Sequence, residues 1–286
     1  MEKAITTKKQ YEIGFVLSGG FIKGFAHLGA MQALEEHGIT PDIISGVSAG
    51  SIAGAFLADG RQPYEVVDIF TRYKFNDLAV WARSTSGLFK LNDFITFLKK
   101  NLRAEKIEDL SIPLLIEATD FDHGKQVIFH RGRLPERIAA SCCMPIVFSS
   151  VKIGSTYYVD GGILNNMPAS SIRESCEKVI GINVSPVPPG RLQKMNVVNI
   201  ALRTYTLMFH SNTFEEAKLC DLLIEPTGLD RYHNRELEYA GEIFKKGYDF
   251  TQKLLEERTK EGKSIWDLSH QGVIDTHSKT SGPVKK

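Results

Sequence analysis

A chain of 286 residues, 42% hydrophobic and 24% charged, is long enough for one large α/β domain and far from a disordered composition. Its formal net charge of +1 offers no broad attraction for nucleic acid, so no nucleic-acid partner is expected. Cys142, Cys143, Cys176 and Cys220 form neither a disulfide framework nor a CxxC pair, which argues against zinc and fits reduced thiols in the cytoplasm.

The first ten residues, MEKAITTKKQ, are polar and lack the apolar core of a signal peptide. No apolar run reaches the ~18 residues of a membrane-spanning helix. Tyr11 to Leu17 reads as a buried first strand, ended by Ser18-Gly19-Gly20. Lys23 to His37 is helical. Ala26, Ala30 and Ala33 give it a small face that can approach a sheet closely, and Gly38 sits at the C-cap position. Asp42 to Gly46 is a second short strand, followed by a helix from Ser48 to Ala58 with Gly60 as its stop. Helical patterns cover 63–73 and 91–102. Between them, 73–91 carries Tyr73, Phe75, Trp81 and Phe89, either as a mobile lid or, the favoured reading, as aromatics pinned into the core.

Ile112 to Thr119 and Lys125 to His130 read as strands, and Leu134 to Cys143 as a helix. Val147 to Ile153 with Tyr157 to Val159 reads as a hairpin. Lys178 to Val184 and Leu222 to Glu225 are further strands, separated by a helix near 195–218. Glu236 to Arg258 is a long last helix. This alternation predicts a three-layer α/β/α fold with a mostly parallel central sheet, as one domain over 8–260. Residues 261–286, mixed in Ser, Gly, Lys and His, are expected to form a partly disordered tail.

Gly46-Val47-Ser48-Ala49-Gly50 falls between a predicted strand and a predicted helix. At such a turn the glycines remove backbone clashes and leave the serine hydroxyl exposed at a helix start. The competing reading makes Ser48 an ordinary helix cap. A nucleophilic serine needs a base. His27 and His37 precede the turn, and none of the later histidines sits in a recognisable loop after a late strand, so a histidine triad is disfavoured. Two other stretches remain. Ser18-Gly19-Gly20-Phe21-Ile22-Lys23-Gly24 can aim backbone N–H groups at an anion, and it matches neither a phosphate-binding P-loop nor a dinucleotide fingerprint. Asp160-Gly161-Gly162 follows a β-rich run. Alone it reads as a turn, but beside an orphan serine its carboxylate can take the hydroxyl proton directly.

In this order, GGFIKG (19–24), GVSAG (46–50) and DGG (160–162) resemble the patatin-like phospholipase family, as do KGFAHLGAMQALEEHGI, ASCCMPIVFSSV and YVDGGILNNMPAS around them. The resemblance covers about residues 11–185. It implies Ser48 as acyl-accepting nucleophile, Asp160 as its base, and Gly19, Gly20 and Phe21, with Ile22 and Lys23 close by and Gly24 closing the motif, as the oxyanion loop. Gly46, Gly50, Gly161 and Gly162 are its motif glycines. Where the family commonly has glycine, this chain has Phe21, which keeps its N–H but is strained if the loop requires positive φ. Lys23 is the motif's basic residue, either facing an anionic headgroup or solvated.

The expected activity is hydrolysis of lipid or related acyl esters, without metal or organic cofactor, with transient contact at a membrane surface. The alternative is a lipid-binding or regulatory protein whose Phe21 loop is too distorted for turnover. Acyl length, headgroup and oligomeric state are not legible.

Overall fold

The computed structural model describes residues 9–78, 80–81, 89–185, 197–232, 237–260, 262 and 264–266. The first half contains strands β1 (Tyr11–Leu17), β2 (Ile43–Val47), β3 (Val80–Trp81) and β4 (Phe89–Lys90) with helices α1 (Phe25–Glu36), α2 (Ala49–Ala58), α3 (Pro63–Thr71), α4 (Phe75–Leu78) and α5 (Asn92–Asn101). The second half adds β5 (Leu114–Asp120), β6 (Lys125–Phe129), α6 (Leu134–Cys142), β7 (Val151–Ile153), β8 (Thr156–Asp160), β9 (Cys176–Ile182), α7 (Val197–Ala217), β10 (Leu222–Ile224) and α8 (Ala240–Lys260).

The main sheet runs β10-β9-β1-β2-β5-β8-β7, with β6 also on β5. The pairs from β10 to β5 are parallel, and β6, β7 and β8 join antiparallel. The register on β5 matters most. β6 pairs with residues 116–120, β2 with 114–117 and β8 with 118–120. A strand has two hydrogen-bonding edges. Since β6 takes one, β2 and β8 share the other and meet end to end, Val47 opposite Glu117 and Asp160 opposite Ala118.

Alternation along the buried strands divides the core. Phe15, Leu17, Ile44, Ile116 and Ile180 join the larger cluster with residues of α1, α2, α3, α5, α6 and α8. Val16, Ile43 and Val179 face the opposite way, onto Met167, Ile172 and Ala217 of a thinner layer. Part of α1's small face, expected against the sheet, meets α8 instead. A Cβ at Gly247 would run into the Ala26 carbonyl, and one at Gly29 into that of Phe244.

Other differences are local. The first helix begins with a 3₁₀ turn, Phe21–Gly24, before α1. Of the strand expected over 147–153 only β7 forms, because Val147 and Phe148 pair instead with Phe89. Phe89 is buried and Tyr73 packs edge-on against Phe97 at 5.0 Å, so those two aromatics belong to the core. The side chains of Phe75 and Trp81, residues 82–88 and the tail from 267 lie outside the described residues. Among those described, no helix is long and apolar enough to cross a membrane.

The α1–α8 crossing yields a paired prediction. Gly247→Ala should lower stability by about 1–3 kcal/mol through overpacking, despite a better helix propensity. Gly241→Ala, at an α8 position with nothing within 4 Å, should not. Urea midpoints at unchanged m-value check both.

Candidate active site

Between β2 and α2 the chain turns so sharply that Ser48 adopts φ 51°, ψ −122°. Only glycine fits beside it. A Cβ at Gly46 would lie 2.6 Å from the Gly50 carbonyl oxygen, and one at Gly50 would strike the Leu17 carbonyl. Ser48 occupies the N-cap position of α2, but its side chain makes no capping bond. Its Oγ instead donates to Asp160 Oδ2 at 2.7 Å. The strained turn is tied down around that hydroxyl. Ser51 donates to the Ser48 carbonyl from both N and Oγ, at 2.9 and 2.7 Å.

Asp160 ends β8 and is 2% exposed. Its Oδ1 accepts the Gly162 N–H at 2.8 Å. Its own N–H donates to the Cys143 carbonyl at 3.1 Å, and its carbonyl accepts from Thr119 Oγ1 at 3.1 Å. Burial pushes the carboxyl up to about 6, against the lowering effect of the Ser48 and Gly162 hydrogen bonds. Gly161 allows the close approach to β5, since a Cβ there would lie 2.6 Å from the Glu117 carbonyl oxygen.

Ser141 of α6 is a site residue the sequence reading missed. Fully buried, it accepts the Ser48 N–H at 2.8 Å and donates to the Glu117 carbonyl at 2.6 Å, bolting the turn to β5. No local pattern marks it, because a serine within an Ala-Ser-Cys helix looks like packing.

The Gly19–Gly24 loop lies beside Ser48, where a Cβ at Gly19 would be 3.3 Å from Ser48 Cβ. Gly19 N–H donates to the Asn166 carbonyl at 3.2 Å, and Lys23 N–H to the Gly20 carbonyl at 3.1 Å. The N–H groups of Gly20, Phe21 and Ile22 have no acceptor among the described residues. Phe21 has φ 54°, the strained case for a non-glycine residue, and the residue is 42% exposed. Gly24 packs against Ala49 at the start of α2. Lys23 is half-buried, and burial brings its ammonium down to about 8, opposed by Asp230.

A cavity of about 380 Å³ opens at Ser48 and is lined largely by apolar side chains, among them Phe25, Ala53, Phe94, Met144 and Phe209. Cys142 also lines it, with its thiol pushed up by burial. Among the described residues no histidine bonds to Ser48. His27 is fully buried, contacts the Ser18 carbonyl through Nε2 at 2.8 Å, and is held down to about 4 by burial. Among the described residues no group of three or more His, Cys, Asp or Glu is placed to hold a metal ion.

The family model described as patatin-like phospholipase matches residues 15–172. The chain is 25% identical to a lysophospholipase NTE1 of Candida glabrata, covering 88% of this chain and 16% of that one. It is 30% identical to an NTE family protein of Mycobacterium tuberculosis, covering 69% and 57%. It therefore spans well under two thirds of either relative. Among solved structures, VipD from Legionella pneumophila aligns at 16% identity and TM-score 0.47, covering 87% of this chain and 67% of that one.

Two predictions follow the geometry. Ser141→Ala removes both the acceptor for Ser48 N–H and the donor to Glu117, so it should cost about 1–3 kcal/mol in a denaturant titration. Asp160 holds its proton up to about pH 6 in the folded chain, whereas an unfolded aspartate releases it near ~3.9. The folded state binds more protons between those values, so stability falls as pH rises through the window. Asp160→Asn should therefore be the more stable protein at pH 8, by up to about 3 kcal/mol. The gap should close towards pH 4, as read from urea midpoints at both pH values.

Proposed function

The chain belongs to the patatin-like phospholipase family, and from that premise we propose that it hydrolyses carboxylic esters of lipids through Ser48 and Asp160. The observation that carries the reading is the 2.7 Å hydrogen bond from Ser48 Oγ to Asp160 Oδ2. Ser48 Oγ attacks the ester carbonyl while its proton passes to Asp160. A carboxylate raised towards neutrality is a better base than an ordinary aspartate. The negative charge that forms on the carbonyl oxygen is held by N–H groups of Gly20, Phe21 and Ile22, aided by the N-terminus of α2. Asp160 returns the proton to the departing alcohol. Water, deprotonated by the same carboxylate, then releases the acid from Ser48.

The apolar cavity is the acyl site. Relatives named lysophospholipase support a lipid ester as the substrate. Lys23, at the cavity wall, suits an anionic headgroup. Phe21, in the cavity wall, and Ile146, between Met144 and Phe148 of that wall, are both more than 40% exposed and suit transient contact with a lipid surface. A binding or regulatory protein on the same scaffold is the second reading. The strained φ of Phe21 is the observation that favours it.

A fluorophosphonate probe should label Ser48 with a rate that rises through about pH 6, the range where Asp160 ionises. Asp160→Asn should slow that labelling by about 10²-fold or more. A folded chain that never labels and cleaves no nitrophenyl ester sustains the binding reading. Ala53→Phe, which fills part of the cavity, should shift preference towards shorter nitrophenyl esters while short-ester kcat stays within about threefold.

A further inference from the structure

Asn166 is a buried polar side chain with no partner at either end among the described residues. It is 1% exposed, and neither its Oδ1 nor its Nδ2 meets a donor or an acceptor there. Its main chain, by contrast, is held on both sides. The N–H donates to Asn212 Oδ1 of α7 at 2.9 Å, and the carbonyl accepts the Gly19 N–H at 3.2 Å.

The glycines around it locate the amide. A Cβ at Gly19 would collide with Asn166 Oδ1 and would lie 3.3 Å from Ser48 Cβ. A Cβ at Gly162 would lie 2.7 Å from the same oxygen and 3.1 Å from Asp160 Oδ1. The amide therefore fills a wedge between the first loop and the Asp-Gly-Gly loop, bordered by Ser48 and Asp160. A partnerless buried amide is unfavourable and calls for an explanation.

Asp160 Oδ1 supplies one. It accepts a single hydrogen bond, from Gly162, although a carboxylate oxygen has room for another. A half-turn of the Asn166 amide exchanges Oδ1 and Nδ2 and puts an N–H₂ group in the wedge at Gly162 that Asp160 Oδ1 also borders. We propose that Asn166 is a positioning residue whose Nδ2–H donates to Asp160 Oδ1, keeping the carboxylate ionised with Oδ2 aimed at Ser48. Its carbonyl meanwhile fixes the first loop through Gly19. The inference rests on the Ser48–Asp160 reading above.

Among the described residues, the titratable groups that face Asp160 are Cys142 at the end of α6, Cys143 just beyond it and Tyr205 of α7, each raised chiefly by burial. All three stay neutral near pH 6, so the acid limb of reactivity reports the carboxylate itself.

The test is the pH profile of fluorophosphonate labelling at Ser48 in the full chain, parent beside Asn166→Leu. Leucine keeps the volume and removes the donor. The acid limb should move up by about one pH unit, because a hydrogen bond to the charged form is lost. Labelling at pH 6 should fall several-fold, with little change at pH 9. The urea midpoint should hold or rise, since an unpaired amide has gone. A limb left in place, or a loss equal at every pH, overturns the proposal.

If the parent shows no limb that Asp160→Asn removes, the Ser48–Asp160 reading fails and takes this one with it. A parental limb that Asn166→Leu leaves unmoved sinks this proposal alone. A second measurement needs no Asn166 variant. The side-chain ¹⁵N–¹H signals of Asn166 should titrate with the labelling midpoint and go flat in Asp160→Asn, and signals already flat in the parent overturn the assignment.

Discussion

The site depends on one constraint of sheet register, the shared edge of β5. Along it β2 ends opposite Glu117 and β8 ends opposite Ala118. Two strands of opposite direction thus abut at a single peptide, and each leaves its last side chain at the junction. Parallel pairing from β10 through β2 to β5 delivers the turn that carries Ser48. The β7–β8 hairpin, entering antiparallel, delivers Asp160. A one-residue slip of β8 on β5 would turn Asp160 to the other face of the sheet. Ser141 pins the other side of the junction, since its hydroxyl joins the Ser48 N–H after β2 to the Glu117 carbonyl of β5.

Local rules are broken where the chemistry is proposed. Ser48 and Phe21 both have positive φ, and Asp160 is a buried carboxylate with no cationic partner among the described residues. Each deviation is unfavourable alone and persists only when its surroundings over-determine it. Here the surroundings are the buried faces of β1, β2 and β5, with α2 packed behind them. In the proposed mechanism they hold together a hydroxyl, a carboxylate and three N–H groups without acceptors among the described residues, the preorganisation that electrostatic catalysis requires.

Much of the fold was legible because hydrophobic periodicity and glycine punctuation are local signals. The longer helices and most strands fall within a few residues of where apolar spacing puts them, while α4 lies in the 73–91 stretch where no helix was expected. The Ser48 turn was legible for the same reason, as glycines two residues either side of a serine are a backbone requirement written in composition. Asp160 was legible only by elimination of the histidines and by resemblance, since nothing near it says which segment it will meet. The head-on arrangement of β2 and β8 is a matter of register between segments more than 100 residues apart, and no local pattern encodes it. Ser141 and Asn166 were missed on the same account. Their significance lies in contacts to β5 and to the first loop. Val147 and Phe148 misled because β-prone residues in a row suggested a longer strand, whereas they bridge to Phe89.

The central claim is that the Ser48 hydroxyl and a lone buried carboxylate act together beside the first loop. A crystal structure of the chain after reaction with a phosphonate ester tests it most directly. The account predicts phosphorus bonded to Ser48 Oγ, the phosphonyl oxygen within hydrogen-bond reach of N–H groups in residues 20–22, and Asp160 as the nearest proton acceptor. An adduct on another residue, or a histidine at Ser48 in place of Asp160, would contradict it.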